Sequence, residues 1–259
     1  MTTPAFTTAR AFTAALGGER VKARRGWVLY LVVVLHIGLN LANGVANYFQ
    51  NTSIFQEQGV TWMAVWGQSG LLYTLLFLPF IISIKAASLT RMEHENSNWR
   101  RMASYGAAAR VTYSGKVLLL AAFAGTCQLL YLVAFFTAGL ISGFELSPQV
   151  VGEFTLLAFA GWIGVMTIGC LQLVIGLLVK SFASTVAIGF VGTIAGFALT
   201  LAAPALQVLY PYTQIGVGMH VRTLTGPSQE EFVPFLIANT VLTGLVLLAG
   251  WAYLKRREY

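Results

Sequence analysis

The sequence predicts an all-α, polytopic membrane protein with six transmembrane helices. Charged residues make up only 10% of the 259 residues, whereas soluble proteins carry about 25%. Hydrophobic residues make up 57%, and six apolar segments are long enough to cross a bilayer core, which takes about 20 residues in a helix. The two cysteines are too few for a secreted disulfide scaffold.

The six predicted spans cover residues 27–48, 66–89, 117–141, 154–179, 182–203 and 232–254. They are predicted to be helices because backbone groups inside lipid must be paired, and because the apolar runs do not alternate like barrel strands. Lys85 is the one charged residue inside a span. It lies near the end of that span, where its side chain can extend to the interface.

The basic residues predict the orientation. With the N-terminus in the cytoplasm, fifteen of the sixteen Lys and Arg residues fall on the cytoplasmic side, and only Arg222 falls outside. This bias favours six spans with both termini cytoplasmic, in the cell (plasma) membrane. The net charge of +7 therefore marks topology and does not indicate a nucleic-acid partner.

Residues 1–25 are predicted to precede the transmembrane domain, which covers residues 26–259. Phe6, Ala9, Phe12 and Leu16 form an apolar stripe, and a basic stretch follows. This pattern favours a helix lying in the cytoplasmic membrane interface, with its basic end on lipid phosphates. A disordered leader is the alternative.

Two connections between spans carry unusual sequence. The longest cytoplasmic connection contains a predicted capped helix, within residues 91–106, that is rich in charge and holds Trp99. Such a helix is suited to binding a soluble partner. The last outer connection, residues 204–231, is rich in proline yet apolar, which predicts short-helical or non-helical backbone that dips into the membrane and is shielded by protein.

The sequence lacks the motifs of several enzyme classes. Gly115-Lys116 is not part of a Walker A sequence, and no HExxH, CxxC or GxSxG motif occurs. No catalytic or metal-binding residues are therefore predicted. Every Glu falls at or beyond the end of a span, which argues against an ion-coupled carrier, since such carriers keep carboxylates inside the membrane.

The first span has a polar face made of His36, Asn40, Asn43 and Asn47. The His36–Asn40 spacing resembles the HxxxN element of intramembrane CAAX-type proteases. Those enzymes also need a paired-glutamate element with an arginine, and Glu230-Glu231 has none. Hydrogen bonding between helices is the preferred interpretation.

The second and fifth spans carry side chains that could line a substrate path. These are Gln68, Tyr73 and Phe77 in the second span and Phe190, Thr193, Phe197 and Thr200 in the fifth. The fifth span also has a GxxxG motif, Gly192 to Gly196, which allows close helix approach. Ordinary bundle packing is the alternative interpretation of both features.

The second cytoplasmic connection resembles a stretch found in permeases of the type-2 ABC exporter (ABC-2 membrane protein) family. That stretch reads E-x-E-N-G-T-W, then a helix, P-V-S-R, and a lysine that opens the next span. The matching residues here are Glu93, Glu95, Asn96, Trp99 and Lys116.

The departures are Ser97-Asn98 for the family's Gly-Thr, Gly106 for its proline and Ala109 for its arginine. Chain length and the six-span layout agree with the family. Within the family, the chain resembles the bacitracin- and lantibiotic-immunity permeases, which are of similar size.

The resemblance implies a permease subunit of an ATP-driven exporter that works by alternating access. Its substrate would be a hydrophobic or amphipathic compound, such as a peptide antibiotic. ATP and Mg would bind to a separate ABC ATPase, and this chain would bind no cofactor. Residues 91–106 would form the coupling helix, with Glu93, Glu95, Trp99 and Arg100 docking the ATPase.

In this family two permeases, identical or homologous, would face each other across a path formed by their second and fifth spans. The segment 204–231 would be the re-entrant outer gate. The alternatives from other classes are a small integral-membrane enzyme, such as an intramembrane protease, and an assembly subunit without transport activity.

The topology can be tested with single cysteines in intact cells. Cysteines at Gln56, Gln149 and Gln229 should react with a membrane-impermeant reagent added outside, because they fall in predicted outer connections. A cysteine at Ser97 should react only after the cells are permeabilised. External labelling at Ser97 would contradict the predicted orientation.

Overall fold

The computed structural model describes residues 27–94, 109–226 and 228–256, and it contains six helices long and apolar enough to cross a membrane. The described residues contain no strand. The first span is Trp27–Gln50, and the second consists of Trp62–Leu72, a wider π turn at Tyr73–Phe77, and Leu78–His94. The remaining spans are Ala109–Ile141, Pro148–Leu178, Phe182–Ala202 and Gln229–Arg256.

The prediction of six spans is confirmed, although several helices begin earlier than their apolar runs. The fourth span, for example, begins at Pro148, where Ser147 caps the helix by accepting a hydrogen bond from the Val150 amide at 3.2 Å. A Ser cap followed by Pro at the first helical position is a strong start signal. The start of this helix is thus set by a cap that precedes its apolar run, whereas hydropathy detects only the apolar run.

Two predicted elements fall mainly outside the described residues. The interfacial helix at residues 1–25 lies entirely outside them. Of the coupling helix at residues 91–106, only residues 91–94 are described, and they form the last turn of the second span.

The second and fourth spans form the centre of the bundle. Their most apolar stretches are 67% and 61% buried, compared with 11% for the sixth span. Small residues allow this close packing, since helices in lipid gain little from hydrophobic burial against each other. A Cβ on Gly169 of the fourth span would lie 2.4 Å from Leu120 of the third, and one on Gly176 would lie 2.3 Å from Thr90 of the second.

The π turn in the second span has a local cause in Pro79. Proline has no N–H to donate to the carbonyl four residues earlier, and its ring crowds that carbonyl. Just before it, the amide of Leu78 bonds to the carbonyl of Tyr73, five residues back instead of four. The wider turn therefore absorbs the proline without ending the span.

The prediction that the Lys85 side chain extends to the membrane interface is wrong. Its residue is only 6% exposed, and its ammonium lies 5.1 Å from the centre of the Phe123 ring in the third span. This is cation–π geometry, which partly compensates the loss of water. Lys116 is also buried, and its Nζ donates to the carbonyl of Leu89 at 2.6 Å.

The fifth span packs on the second through Gly189. A Cβ there would lie 2.4 Å from Cβ of Ser83 and 2.7 Å from Nε2 of Gln172. No real Cβ sits that close to another carbon, so a larger residue must push the two spans apart.

Gly189→Ala should therefore lower the thermal stability of the purified chain, because overpacking typically costs about 1–3 kcal/mol. Gly38→Ala is the matched control: it is also helical, but a Cβ added there would have no atom within 4 Å. That substitution should be neutral or stabilising, because Ala favours a helix by up to about 1 kcal/mol over Gly. Equal unfolding temperatures for the two variants would show that Gly189 is not a packing contact.

Candidate functional site

The connection between the fifth and sixth spans folds back into the bundle. It forms two 3-10 turns, Pro204–Leu209 and Pro211–Thr213, and a short helix, Gln214–Gly218. Most of its second half is buried, including Tyr212, Thr213, Gln214 and Ile215. This confirms the prediction of short-helical backbone shielded by protein. Residues 204–221 are called the re-entrant segment below.

The re-entrant segment reaches the middle of the fourth span. A Cβ on Gly164 would lie 2.4 Å from the carbonyl oxygen of Gln214. Gly164 is about 24 Å from the first residue of its helix, Pro148, which is halfway along it. Tyr212 reaches about two turns further, where its hydroxyl accepts a hydrogen bond from Nε2 of Gln172.

The side-chain amide of Gln214 donates hydrogen bonds to backbone carbonyls of the re-entrant segment. Its Nε2 lies 2.9 Å from each of the carbonyl oxygens of Gln207, Val208 and Tyr210. The carbonyls of Gln207 and Tyr210 also accept from the amides of Tyr210 and Thr213 and from the Thr213 hydroxyl. An unpaired carbonyl in a membrane interior costs several kcal/mol by transfer measurements, so the Gln214 amide and these donors together stabilise the non-helical backbone of the segment.

A chain of buried polar groups connects Gln214 to two spans. Its Oε1 accepts from Nδ2 of Asn239 in the sixth span at 2.7 Å. Oδ1 of Asn239 accepts from the hydroxyl of Thr167 in the fourth span at 2.6 Å, and Thr167 pairs with Thr243 at 2.9 Å. The sixth span buries little apolar surface, so this chain is its main specific link to the re-entrant segment.

Trp66 of the second span holds the far end of the segment. Its Nε1 donates to the carbonyl of Met219 at 2.7 Å, and its residue is fully buried. The ring packs against Tyr131, Phe135 and Phe154, with centroid separations of 4.9–5.1 Å. Aromatic pairs at this distance add specific packing energy, so the indole is a rigid anchor.

The GxxxG motif of the fifth span contacts the re-entrant segment. A Cβ on Gly192 would lie 2.5 Å from the Tyr212 ring, and one on Gly196 would lie 3.1 Å from the Tyr210 ring. The Tyr210 hydroxyl donates to the carbonyl of Gly192 at 3.0 Å. The predicted close approach occurs, and its partner is the re-entrant segment. Movement of the fifth span must therefore displace these tyrosines.

A cavity of about 310 Å³ lies between the re-entrant segment and the start of the sixth span. Its apolar wall includes Leu75 and Phe235, both buried. Its polar residues include His220, Arg222, Glu230 and Glu231. The cavity lies on the predicted outer side of the membrane.

His220 is the least satisfied polar residue of this cavity. Its φ of 54° places it in the left-handed region, which residues other than Gly adopt uncommonly, although Asn, Asp and His do so more often than the rest. Its buried Nε2 has no hydrogen-bond partner, and the nearest acid oxygen, Oε2 of Glu231, is 3.7 Å away. Burial lowers the pKa of His220 below its ordinary 6.5, and the Glu231 carboxylate partly offsets this. The imidazole is therefore neutral at pH 7.

The other charged groups of the cavity differ in their partners. Oε2 of Glu231 accepts hydrogen bonds from the amide and hydroxyl of Ser228, each at 3.2 Å, in the manner of a helix capping box. Arg222 donates to the carbonyl of Thr200 in the fifth span. Glu230 is exposed at the rim.

The predicted path residues do not share one surface within this chain. Tyr73, Thr193 and Thr200 are buried against other elements. Tyr73 donates to the carbonyl of Cys127, and each threonine donates to a carbonyl one turn back in its own helix. Gln68 and Phe190 are exposed, and Phe77 and Phe197 are half-buried.

The polar face of the first span also divides. Asn40 is buried and donates to the carbonyl of His36 in its own helix at 2.9 Å, so this hydrogen bond does not connect helices. His36 stacks on Phe77 with a centroid separation of 3.5 Å. Asn47 is half-buried and Asn43 is exposed.

The predicted ATPase-docking residues lie at the edge of the described structure. Glu93 is in the last turn of the second span, whereas Glu95, Trp99 and Arg100 lie outside the described residues. Their neighbour His94 is described, and its Nε2 lies 2.7 Å from the carbonyl of Gly176 in the fourth span. Within the described part of the chain, no three His, Cys, Asp or Glu residues cluster as metal ligands.

Four residues of this region, Gln214, Asn239, Thr167 and His220, are not among those predicted from the sequence. A signal for Asn239 existed, because an amide near the middle of a predicted span must find a partner. Gln214 and His220 carried no comparable signal, since polar residues are expected in a loop.

A family model described as "ABC-2 family transporter protein" matches residues 15–196, more than two thirds of the chain. The match ends within the fifth span, before the re-entrant segment. Comparisons with curated proteins and with solved structures found no match.

Asn239→Leu should destabilise the chain. Leucine has a similar size but leaves Oε1 of Gln214 and the Thr167 hydroxyl without this partner, and an unsatisfied buried group costs about 1–3 kcal/mol. Asn43→Leu is the matched control, because Asn43 is exposed on the first span. Thermal unfolding in detergent should show a lower midpoint for Asn239→Leu alone. Equal midpoints would show that the polar chain does not stabilise the fold.

Proposed function

This chain belongs to the ABC-2 transporter family, and from that premise we propose that it is the permease of an exporter for hydrophobic or amphipathic compounds. The family makes the chain a membrane-spanning subunit of an ABC transporter that works with ABC ATPase subunits. The direction of transport, the substrate class and the pairing with a second permease, identical or homologous, are parts of the proposal. The observation that carries it is the re-entrant segment, packed against the fifth span and the exit-side cavity.

Energy enters from the partner chain in this proposal. ATP and Mg bind to the ATPase, and this chain supplies only helices that move. Gly115-Lys116 is the one pair in the sequence that faintly resembles a nucleotide-binding motif. Its lysine ammonium is buried and donates to the carbonyl of Leu89. That side chain cannot reach a phosphate.

The connection after the second span is proposed as the coupling element, with Glu93, Glu95, Trp99 and Arg100 docking the ATPase. The second span supports this proposal, because it runs without a break from Trp62 to His94. Its last residue, His94, lies on the predicted cytoplasmic side, where the connection begins. His94 fastens the inner end of this span to the fourth at Gly176. A push on the connection would thus reach the two central spans directly.

The re-entrant segment is proposed as the outer gate of a path shared with the second permease. Tyr210 and Tyr212 rest on the glycine face of the fifth span, the span predicted to line the path. A shift of the fifth span removes their support and releases the segment. The proposal places both termini in the cytoplasm, so that the gate faces outside.

The geometry does not favour a protease. His36 stacks on Phe77, and Asn40 bonds within its own helix. Glu231 pairs with Ser228 at the start of the sixth span, beside His220. The residues that a CAAX-type protease would combine thus have separate structural partners.

The proposed function is tested by co-expressing the chain with candidate ABC ATPases from the same genome and reconstituting the complex that co-purifies in inside-out vesicles. An exporter should accumulate an amphipathic substrate in the lumen when ATP is added. Accumulation that is independent of ATP, or no ATPase in the purified complex, would contradict the proposal.

Trp99→Ala should weaken the association of permease and ATPase by about 30-fold, since truncation of an aromatic hot spot often costs about 2 kcal/mol. Substrate-stimulated ATP hydrolysis should fall in parallel, while membrane insertion is unchanged. Glu95→Gln should have a smaller effect, because charges at the rim of an interface contribute little alone. Glu93 and Glu95 could instead pair with Arg91 or Arg100 within the chain.

Trp27→Ala is the control for loss of a tryptophan, because Trp27 is exposed at the start of the first span. It should leave ATPase association intact. If the Trp99→Ala permease bound the ATPase as tightly as the Trp27→Ala permease, the connection would not be the coupling element.

A further inference from the structure

We propose that the cavity between the re-entrant segment and the sixth span binds the ammonium head group of a cationic amphiphile. The inference rests on the proposed function, because it names the substrate chemistry that the outer gate selects. Three features of the cavity support it: a buried imidazole nitrogen without a partner that lies beside a carboxylate oxygen, an acidic rim and an apolar wall.

The first feature is the pair formed by Nε2 of His220 and Oε2 of Glu231. Their separation of 3.7 Å is too long for a hydrogen bond, and Nε2 is buried without another partner. The proposal takes the neutral imidazole with its proton on Nδ1, and in that tautomer both Nε2 and the carboxylate oxygen are acceptors. A primary ammonium, which has three N–H donors, can bridge them and remove this unfavourable arrangement.

The second feature is the charge of the rim. Glu230 and Glu231 both line the cavity, and Glu230 is exposed beside the opening. Arg222 is the only basic residue on the predicted outer side, and it donates to the carbonyl of Thr200. The rim is therefore net negative where a ligand enters, which favours a cation and disfavours a carboxylate or a phosphate.

The third feature is the wall that lies deeper than these charges. Leu75, Val221 and Phe235 are buried and line the cavity. The volume of about 310 Å³ is at the lower limit of ordinary small-molecule sites. A head group at the rim with the start of an alkyl chain or an apolar side chain inside would use both surfaces.

The site differs from a generic acidic surface because a fixed backbone turn orients His220. His220 adopts φ 54° in the turn that closes the re-entrant segment, and Trp66 fixes that turn through Met219. The imidazole is thereby held toward Glu231 of the sixth span. Opening of the gate would separate these two acceptors, so the ligand would be bound when the segment is seated and released when it leaves.

The test is equilibrium binding of radiolabelled dodecylammonium to the full purified chain in nanodiscs of zwitterionic phospholipid, with empty nanodiscs subtracted. Dodecanol, which has the same alkyl chain without charge, is the comparison ligand. We expect saturable binding with an affinity for dodecylammonium about tenfold higher than for dodecanol, the size of one charge-assisted hydrogen bond.

The decisive test is a double variant that carries both Glu230→Gln and Glu231→Gln. Glutamine at position 231 can still accept from Ser228, as in a capping box, so the helix start is kept while both charges are removed. The tenfold preference should disappear. Glu57→Gln removes a charge from an exposed residue of another predicted outer connection and should keep the preference.

His220→Asn provides a second variant, because asparagine tolerates the left-handed turn. It should weaken dodecylammonium binding several-fold and leave dodecanol binding unchanged. Uptake equal to that of empty nanodiscs, or a preference that survives in the double variant, would overturn the inference. The assay needs neither ATPase nor transport, so its failure would leave the proposed function standing.

Discussion

The rest of this bundle depends on pairing the backbone carbonyls of the re-entrant segment, and the Gln214 side chain contributes to that pairing. Backbone that is not α-helical exposes carbonyl oxygens, and inside a membrane no water is present to pair them. Nε2 of Gln214 lies 2.9 Å from three such oxygens, and the Thr213 hydroxyl donates to two of them. These donors from within the segment allow its two 3-10 turns to sit beside the middle of the fourth span.

The packing of the neighbouring spans follows from this inserted backbone. Gly164 leaves room for the carbonyl of Gln214, and Gly192 and Gly196 leave room for two tyrosine rings. Asn239 then completes the pairing from the sixth span through Oε1 of Gln214. These glycines of the fourth and fifth spans thus serve one inserted segment, and the amide in the sixth span holds it from the other side.

The sequence predicts the helices well because the length of an apolar run has a direct physical meaning in a bilayer. It also predicts the inserted connection, since prolines among apolar residues suit neither an exposed loop nor a full span. It could not predict the burial of Lys85, which depends on Phe123 of another span. Nor could it assign roles to Gln214 and His220, because their partners in other spans are brought near only by insertion of the segment.

In the outer-gate role proposed above, the inserted segment would have to break buried hydrogen bonds in order to open. When the segment leaves the bundle, Tyr212 leaves Gln172 and Gln214 leaves Asn239, and the groups left behind in the fourth and sixth spans need new donors or acceptors. Each buried group left unpaired costs about 1–3 kcal/mol, so these costs favour the seated segment as long as no new partners are supplied. Water must enter as the segment moves, or the spans must close behind it.

Both require the fifth span to shift, because its glycines hold the tyrosines. A gate built in this way stays shut until a force on the spans opens it, which is the behaviour expected of a transporter driven by a separate ATPase.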